Sequence, residues 1–160
     1  MNLVDVFNRT RVKVDDEAVA QLVARVLTAE GVDNAETSVE FVGEGRIRAL
    51  NAEYRGKDEV TDVLSFPLEE AGEEPAPAVL GGPAGPPRLL GDVVVCARQA
   101  LRQARADALP PAFELAVLLV HGTLHLLGYD HETDAGQMAL RQARLLELVD
   151  WEALVVATPR

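Results

Sequence analysis

The stretch Pro111-Ala-Phe-Glu114-Leu-Ala-Val-Leu-Leu-Val-His121-Gly122-Thr-Leu-His125-Leu-Leu-Gly128-Tyr129-Asp130-His131 decides the fold. Pro111 suits the first position of a helix, where its missing N–H has no partner to lose. From Ala112 to Leu127 apolar side chains fall on nearly every face, the pattern of a helix surrounded by other elements. Glu114, His121 and His125 interrupt it, and it is too short and too polar to span a bilayer. Gly128 ends it, because a residue without a Cβ takes the left-handed conformation readily. The rest of the chain is expected to pack around this central buried helix.

Working outward, Arg98 to Ala108 reads as the helix before it, and Asp134 to Val149 as the helix after it. In the latter Met138, Leu145, Leu148 and Val149 face inward, and Asp134 caps the start. Towards the N-terminus, Asn2 to Asn8, Thr37 to Val42, Asp62 to Phe66 and Gly91 to Ala97 read as strands. Asp15 or Asp16 caps a helix carrying Val19, Leu22, Val23, Val26 and Leu27, with Gly31 just past its end. Gly43 to Gly45 reads as a turn and Arg46 to Tyr54 as a short helix that stops near Gly56. Glu69 to Arg88 holds Pro75, Pro77, Pro83, Pro86 and Pro87 among several glycines, so it reads as a surface loop, an insertion rather than a binding element. This order of elements is α+β rather than a regular doubly wound sheet, and 160 residues fit one domain spanning 1–160.

The composition narrows the function. Fifteen Lys and Arg stand against 26 Asp and Glu, a net charge of −11. That excludes a protein that holds nucleic acid by bulk charge, since such binding depends on cations displacing phosphate counterions. Aromatic residues are 4%, too few for a base-stacking platform. One cysteine, Cys96, excludes an intrachain disulfide and a thiolate cluster, and suits a reducing compartment. The first residues lack the basic-then-apolar pattern of a signal peptide, so a cytoplasmic location without membrane attachment is expected.

The three histidines, His121, His125 and His131, all lie within eleven residues. His121 and His125 are four apart on one helix and share a face. Gly128 turns the chain so that His131 can return as a third ligand. Core histidines held by hydrogen bonds are the ordinary alternative. Imidazoles on an apolar helix need partners, however, because burying them unpaired costs about 1–3 kcal/mol each. A metal satisfies both. Three neutral imidazoles leave a metal ion its full charge and an open fourth position, as in catalytic sites; zinc is favoured, and nickel, copper or iron also suit such ligands. The spacing matches the His-x-x-x-His-x-x-Gly-x-x-His core of metzincin proteases. Those proteases carry their general base, a Glu, directly after the first His. Here Gly122 stands there, so peptide hydrolysis lacks its base.

A second informative stretch runs Leu50-Asn51-Ala-Glu-Tyr54-Arg55-Gly56-Lys57-Asp58-Glu-Val60-Thr61-Asp62-Val-Leu-Ser65-Phe66-Pro67, from helix to strand. Arg55 and Lys57 can offer charge to a phosphate, Arg55 as a bidentate fork, although on this stretch alone a solvated surface side chain is the favoured reading. Arg46, Arg48, Lys57 and Arg88 can add a basic rim to an acidic body. Asp130 or Asp134 can orient a ligand histidine or serve as turn and cap. Tyr129 reads as packing against the helix rather than as a base-stacking group.

Together these stretches, with Leu90-Gly91-Asp92-Val93-Val94-Val95-Cys96, resemble the YbeY family of bacterial endoribonucleases, the rRNA maturation factors. Val60 departs from the family pattern, where Pro is expected, and the 69–88 loop is long. The resemblance implies a zincin-like fold with a mixed sheet of about four strands packed around the central helix. It implies one zinc ion per chain held by His121, His125 and His131, with Arg55 beside it in the active site. The implied activity is zinc-dependent, single-strand-specific endoribonuclease cleavage in 16S rRNA 3′-end processing, ribosome maturation and ribosome quality control. The implied partners are single-stranded RNA, the small ribosomal subunit and an Era-type GTPase, with no DNA. Two rival classes stand beside it. One is a metallohydrolase of another substrate, which needs an acidic base near the metal. The other is a non-enzymatic, metal-braced ribosome-assembly factor, which needs a fourth protein ligand such as Asp130, Glu132 or Asp134.

Overall fold

The structure is a computed structural model that describes residues 1–68, 85–130, 132 and 134–157. Four strands form one mixed sheet in the order β1-β2-β4-β3. They are β1 (Leu3–Asn8), β2 (Ala35–Val42), β3 (Val63–Pro67) and β4 (Arg88–Cys96). β1, β2 and β4 run parallel, and β3 pairs antiparallel with β4 at the edge. β2 shows why the sheet is two-sided: Ala35, Thr37, Val39 and Phe41 are buried while Glu36, Ser38 and Glu40 between them are half-buried, the period-two signature of a pleated strand.

The helices are α1 (Asp16–Ala29), α2 (Glu44–Arg55), α3 (Ala97–Ala106), α4 (Pro111–Leu126) and α5 (Gln137–Leu148), followed by a 3-10 turn at Trp151–Leu154. One apolar core joins Val19, Leu22, Val23 and Val26 of α1 to Val39, Phe41, Val93 and Val95 of the sheet and to Leu115, Leu119 and Leu124 of α4. A smaller core on the other face seats Ile47 and Leu50 of α2 on Val42, Leu64, Val94 and Cys96. α4 is the hub, touching β3, β4, α1, α3, α5 and the 3-10 turn. This is the α+β fold expected, with its four-stranded mixed sheet and central helix. Among the described residues no helix is long and apolar enough to cross a membrane.

Several boundaries move. α2 begins at Glu44, so the expected turn at Gly43 to Gly45 is its N-cap and first residues; the Ile47 N–H reaches the Gly43 carbonyl at 3.1 Å in the ordinary helical manner. β4 begins at Arg88 rather than Gly91, because pairing with Ala35 of β2 extends it. Of the expected 69–88 loop, residues 69–84 lie outside the described residues. α3 stops at Ala106, ahead of Ala108, whose φ of 53° no helix accepts. α5 starts at Gln137 with Gly136, not Asp134, at its N-cap; Asp134 lies in the preceding turn, where it accepts from the Met138 N–H at 2.9 Å. Leu148 does not face inward: it is 50% exposed, while Met138, Leu145 and Val149 are buried. Their 4-3-4 spacing through position 142 leaves Leu148 to one side of the stripe.

Glu114, in the first turn of α4, is buried. Gln103 of α3 donates to its carboxylate at 2.9 Å and to Asp62 at 3.2 Å. Burial pushes the Glu114 carboxyl above its ordinary value, against the opposing pull of the Gln103 bond. The folded chain therefore binds this proton more tightly than the unfolded chain. Stability falls as pH rises from the ordinary value of 4.5 through the raised one. Glu114→Gln is expected to raise Tm at pH 7 and to converge with wild type below about pH 4.5. A difference that instead widens on acidification contradicts this.

Candidate metal centre

His121 and His125 sit on the last two turns of α4, both half-buried. Their Nε2 atoms face each other at 3.0 Å, with ring centroids 4.5 Å apart and planes at 79°. Each Nδ1 meets an oxygen. His125 Nδ1 lies 2.8 Å from the Tyr129 carbonyl, and His121 Nδ1 lies 3.0 Å from Gln142 Oε1. A carbonyl oxygen only accepts, so it draws the ring proton to Nδ1 and leaves a lone pair on Nε2. Two lone pairs brought together this way repel unless a proton or a cation lies between them. Two imidazoles bound to one zinc ion at 2.0–2.1 Å hold their nitrogens about 3.4 Å apart, close to what is seen here. The donor set therefore fits the implied metal.

Among the described residues no group of three or more His, Cys, Asp or Glu side chains is placed to hold a metal ion, and His131 lies outside them. Asp130 and Asp134 each accept from a backbone N–H two residues on. Asp130 accepts from the Glu132 N–H at 3.0 Å, and Asp134 from the Gly136 N–H at 2.8 Å. The oxygens that face the His125 and His121 rings are the Tyr129 carbonyl and Gln142 Oε1, neither of which the sequence singled out. A signal for Gln142 does exist. It is the one polar member of the inward stripe Met138, Gln142, Leu145, Val149.

The turn after α4 is built for this. Gly128 has φ 95°, and the Tyr129 N–H returns to the Leu124 carbonyl at 3.1 Å. That folds the Tyr129 carbonyl back over His125. Tyr129 packs on the main core, as expected, and its hydroxyl donates to Glu30 at 2.8 Å. Burial, together with that bond, raises the Tyr129 phenol. Glu30 also receives Arg141 of α5, whose Nη2 donates to the Ala29 carbonyl at 3.0 Å.

Gly122 faces the sheet. A Cβ there would stand 2.7 Å from Val93 Cγ1, 3.2 Å from Val63 Cγ2 and 3.3 Å from Ser65 Oγ. Ser65 donates to the Gly122 carbonyl at 2.8 Å. The place where a protease carries its Glu is filled by β3 and β4, which leaves no room for a general base.

Arg55 is exposed at the end of α2, and Gly56 closes the helix at φ 70°. The segment after it leads into β3, and Tyr54 stacks edge-on against Phe66 of that strand at 5.1 Å. Arg48 does not extend a basic rim. Its guanidinium forks onto Asp58 at 2.8 and 3.2 Å, which holds the Asp58 carboxyl below its ordinary range.

Comparison with known proteins gives the family and the fold. The model of the family described as Endoribonuclease YbeY matches residues 5–150. Endoribonuclease YbeY of Anaeromyxobacter sp. (strain Fw109-5) is 48% identical over 139 residues, which is 86% of this chain and 65% of that one. The Geobacillus kaustophilus protein of the same name is 50% identical, covering 74% of each chain. That of Moorella thermoacetica is 51% identical, covering 74% of this chain and 76% of its own. The chain thus spans just under two thirds of the first relative and about three quarters of the other two. The solution structure of TM1509 from Thermotoga maritima superposes with a TM-score of 0.59 at 25% identity, covering 91% of this chain and 87% of that one.

Proposed function

The chain belongs to the YbeY family of endoribonucleases, and on that footing we propose that it is a zinc-dependent enzyme that cuts single-stranded RNA. Its role is 3′-end processing of 16S rRNA, ribosome maturation and ribosome quality control in the cytoplasm. The small ribosomal subunit and an Era-type GTPase are its partners. The whole chain serves as one such domain. The observation that carries the metal reading is the 3.0 Å convergence of the His121 and His125 Nε2 atoms with both Nδ1 atoms turned to oxygens.

In this reading His121, His125 and His131 hold one zinc ion. A bound zinc ion supplies Lewis acidity to a phosphate oxygen and to a water. Arg55 grips the scissile phosphate and stabilises the charge that builds on its oxygens. Gly122 places no carboxylate beside His121, which argues against peptide hydrolysis. The net charge of −11 makes free RNA a weak, salt-sensitive ligand, so the ribosome supplies the remaining affinity.

The test is cleavage of an oligonucleotide from the 3′ end of 16S rRNA, as single strand and as duplex, by the full chain. It is run as purified, after chelation, and after zinc is restored. Cleavage of the single strand alone, lost on chelation and regained with zinc, is expected. Chelator-insensitive cleavage, or equal cleavage of the duplex, sinks the proposal. Stoichiometric zinc without any cleavage moves the metal-braced assembly factor into its place.

A further inference from the structure

We propose that Gln142 is a positioning residue for His121, one that prepares the ring for metal by fixing which nitrogen carries its proton. The inference rests on the metal reading above and deepens it. A neutral imidazole has one N–H and one lone pair. Gln142 Oε1, 3.0 Å from His121 Nδ1, holds the proton there and turns the lone pair at Nε2 toward His125. The same polarity is set on His125 by a different device, the Tyr129 backbone carbonyl at 2.8 Å. One arm is main chain and belongs to the histidine helix's own turn. The other is a side chain from a helix 21 residues away.

The alternative that Gln142 suppresses is visible in the same geometry. With Nε2 atoms 3.0 Å apart, His121 can move its proton to Nε2 and donate it to His125. The two rings then satisfy each other, and His121 offers a metal no lone pair. An oxygen at Nδ1 opposes that tautomer.

Gln142 is itself held in place. Its neighbour Arg141 pairs with Glu30 and donates to the Ala29 carbonyl, which clips α5 to the end of α1. Glu30 accepts from the Tyr129 hydroxyl as well. A single carboxylate, 9% exposed, thus steadies both arms. Outer contacts of this kind typically govern metal affinity by 10–100-fold.

The experiment measures zinc affinity of the full chain by competition with a chelator of known strength, alongside thermal unfolding in excess chelator. Gln142→Leu keeps the bulk and removes every polar atom. Gln142→Glu keeps an acceptor at the same reach. Gln142→Leu is expected to bind zinc about 10–100-fold more weakly, and Gln142→Glu to match or exceed wild type. Both metal-free variants should unfold close to wild type. A merely structural Gln142 would lower Tm without separating the two variants in zinc affinity. Zinc affinity of Gln142→Leu within about threefold of wild type, or equal weakening by Leu and Glu, overturns the proposal while leaving the metal reading intact. A wild-type chain that takes up no zinc overturns both.

Discussion

His125→Ala is expected to fold, to lose its zinc, and to cut single-stranded RNA more than about a hundredfold more slowly than wild type. The magnitude follows from the part a metal plays at a phosphate. Its charge stabilisation is worth several kcal/mol, and each 1.36 kcal/mol is tenfold in rate, so about 3 kcal/mol already reaches the hundredfold mark. The fold should survive because His125 is half-buried and outside the apolar core. Its Nδ1 meets the Tyr129 carbonyl in the turn after the helix, where water can replace the ring. Arg55→Ala is the informative companion. Arg55 sits on another element, so this variant should keep its zinc and lose rate alone, by about 10²–10³-fold, the loss seen when one donor to a developing oxyanion is removed. Bound metal, measured on identically purified samples, separates the two. If His125→Ala retains both zinc and activity, the histidines are not the metal centre. If Arg55→Ala cuts at the wild-type rate, Arg55 is a surface side chain.

Gly91→Ala should be the most damaging single methyl in the described chain, at about 3 kcal/mol or more. The register explains why. Glu36 pairs with Leu89 and Thr37 with Gly91, so Leu90 is an extra residue on β4, a bulge. Gly91 absorbs it at φ 125°, where side chains are strained, and a Cβ there would lie 2.1 Å from the Phe66 carbonyl oxygen. That oxygen is backbone in the paired edge strand and has nowhere to go. Thr37 fixes the site from the other side, donating to the Gly91 carbonyl at 2.7 Å. A chain of this size loses about 2–4 °C of Tm per kcal/mol, so a drop of about 6–12 °C is expected by calorimetry. A change under about 2 °C would mean that the bulge relaxes freely. The damage should reach the metal too. The bulge sets where Val93 and Ser65 meet Gly122, and Gly122 adjoins His121.

What was legible in the sequence was what is local. The i, i+4 histidine pair, the all-round apolar helix and the glycine after it depend only on helix geometry, and α4 carries them as read. The alternation at Thr37 to Val42 likewise needed no partner to be seen. The misses share a cause: each depends on a residue far along the chain. β4 starts early because Ala35 pairs with Arg88, and the bulge exists only relative to β2. The contacts orienting the two rings were hidden for two reasons. A backbone carbonyl such as that of Tyr129 has no letter of its own, and Gln142 acts from a separate helix. Arg48 looked like a free cation until its loop brought Asp58 beside it. His131 and residues 69–84 lie outside the described residues, so those readings stand as expectations.

The 21-residue gap between His121 and the glutamine that faces it also has a meaning in time. Translation runs from the N-terminus at about 5–20 residues per second, so Gln142 is made about one to four seconds after His121. The sheet strands and the histidine helix all precede it in the chain, and Arg141, which docks α5, arrives one residue ahead of it. Until α5 is made, the chain has the Tyr129 carbonyl that faces His125 but not the Gln142 that faces His121. A chain that stops before α5 therefore carries the histidine pair without the Gln142 contact to His121.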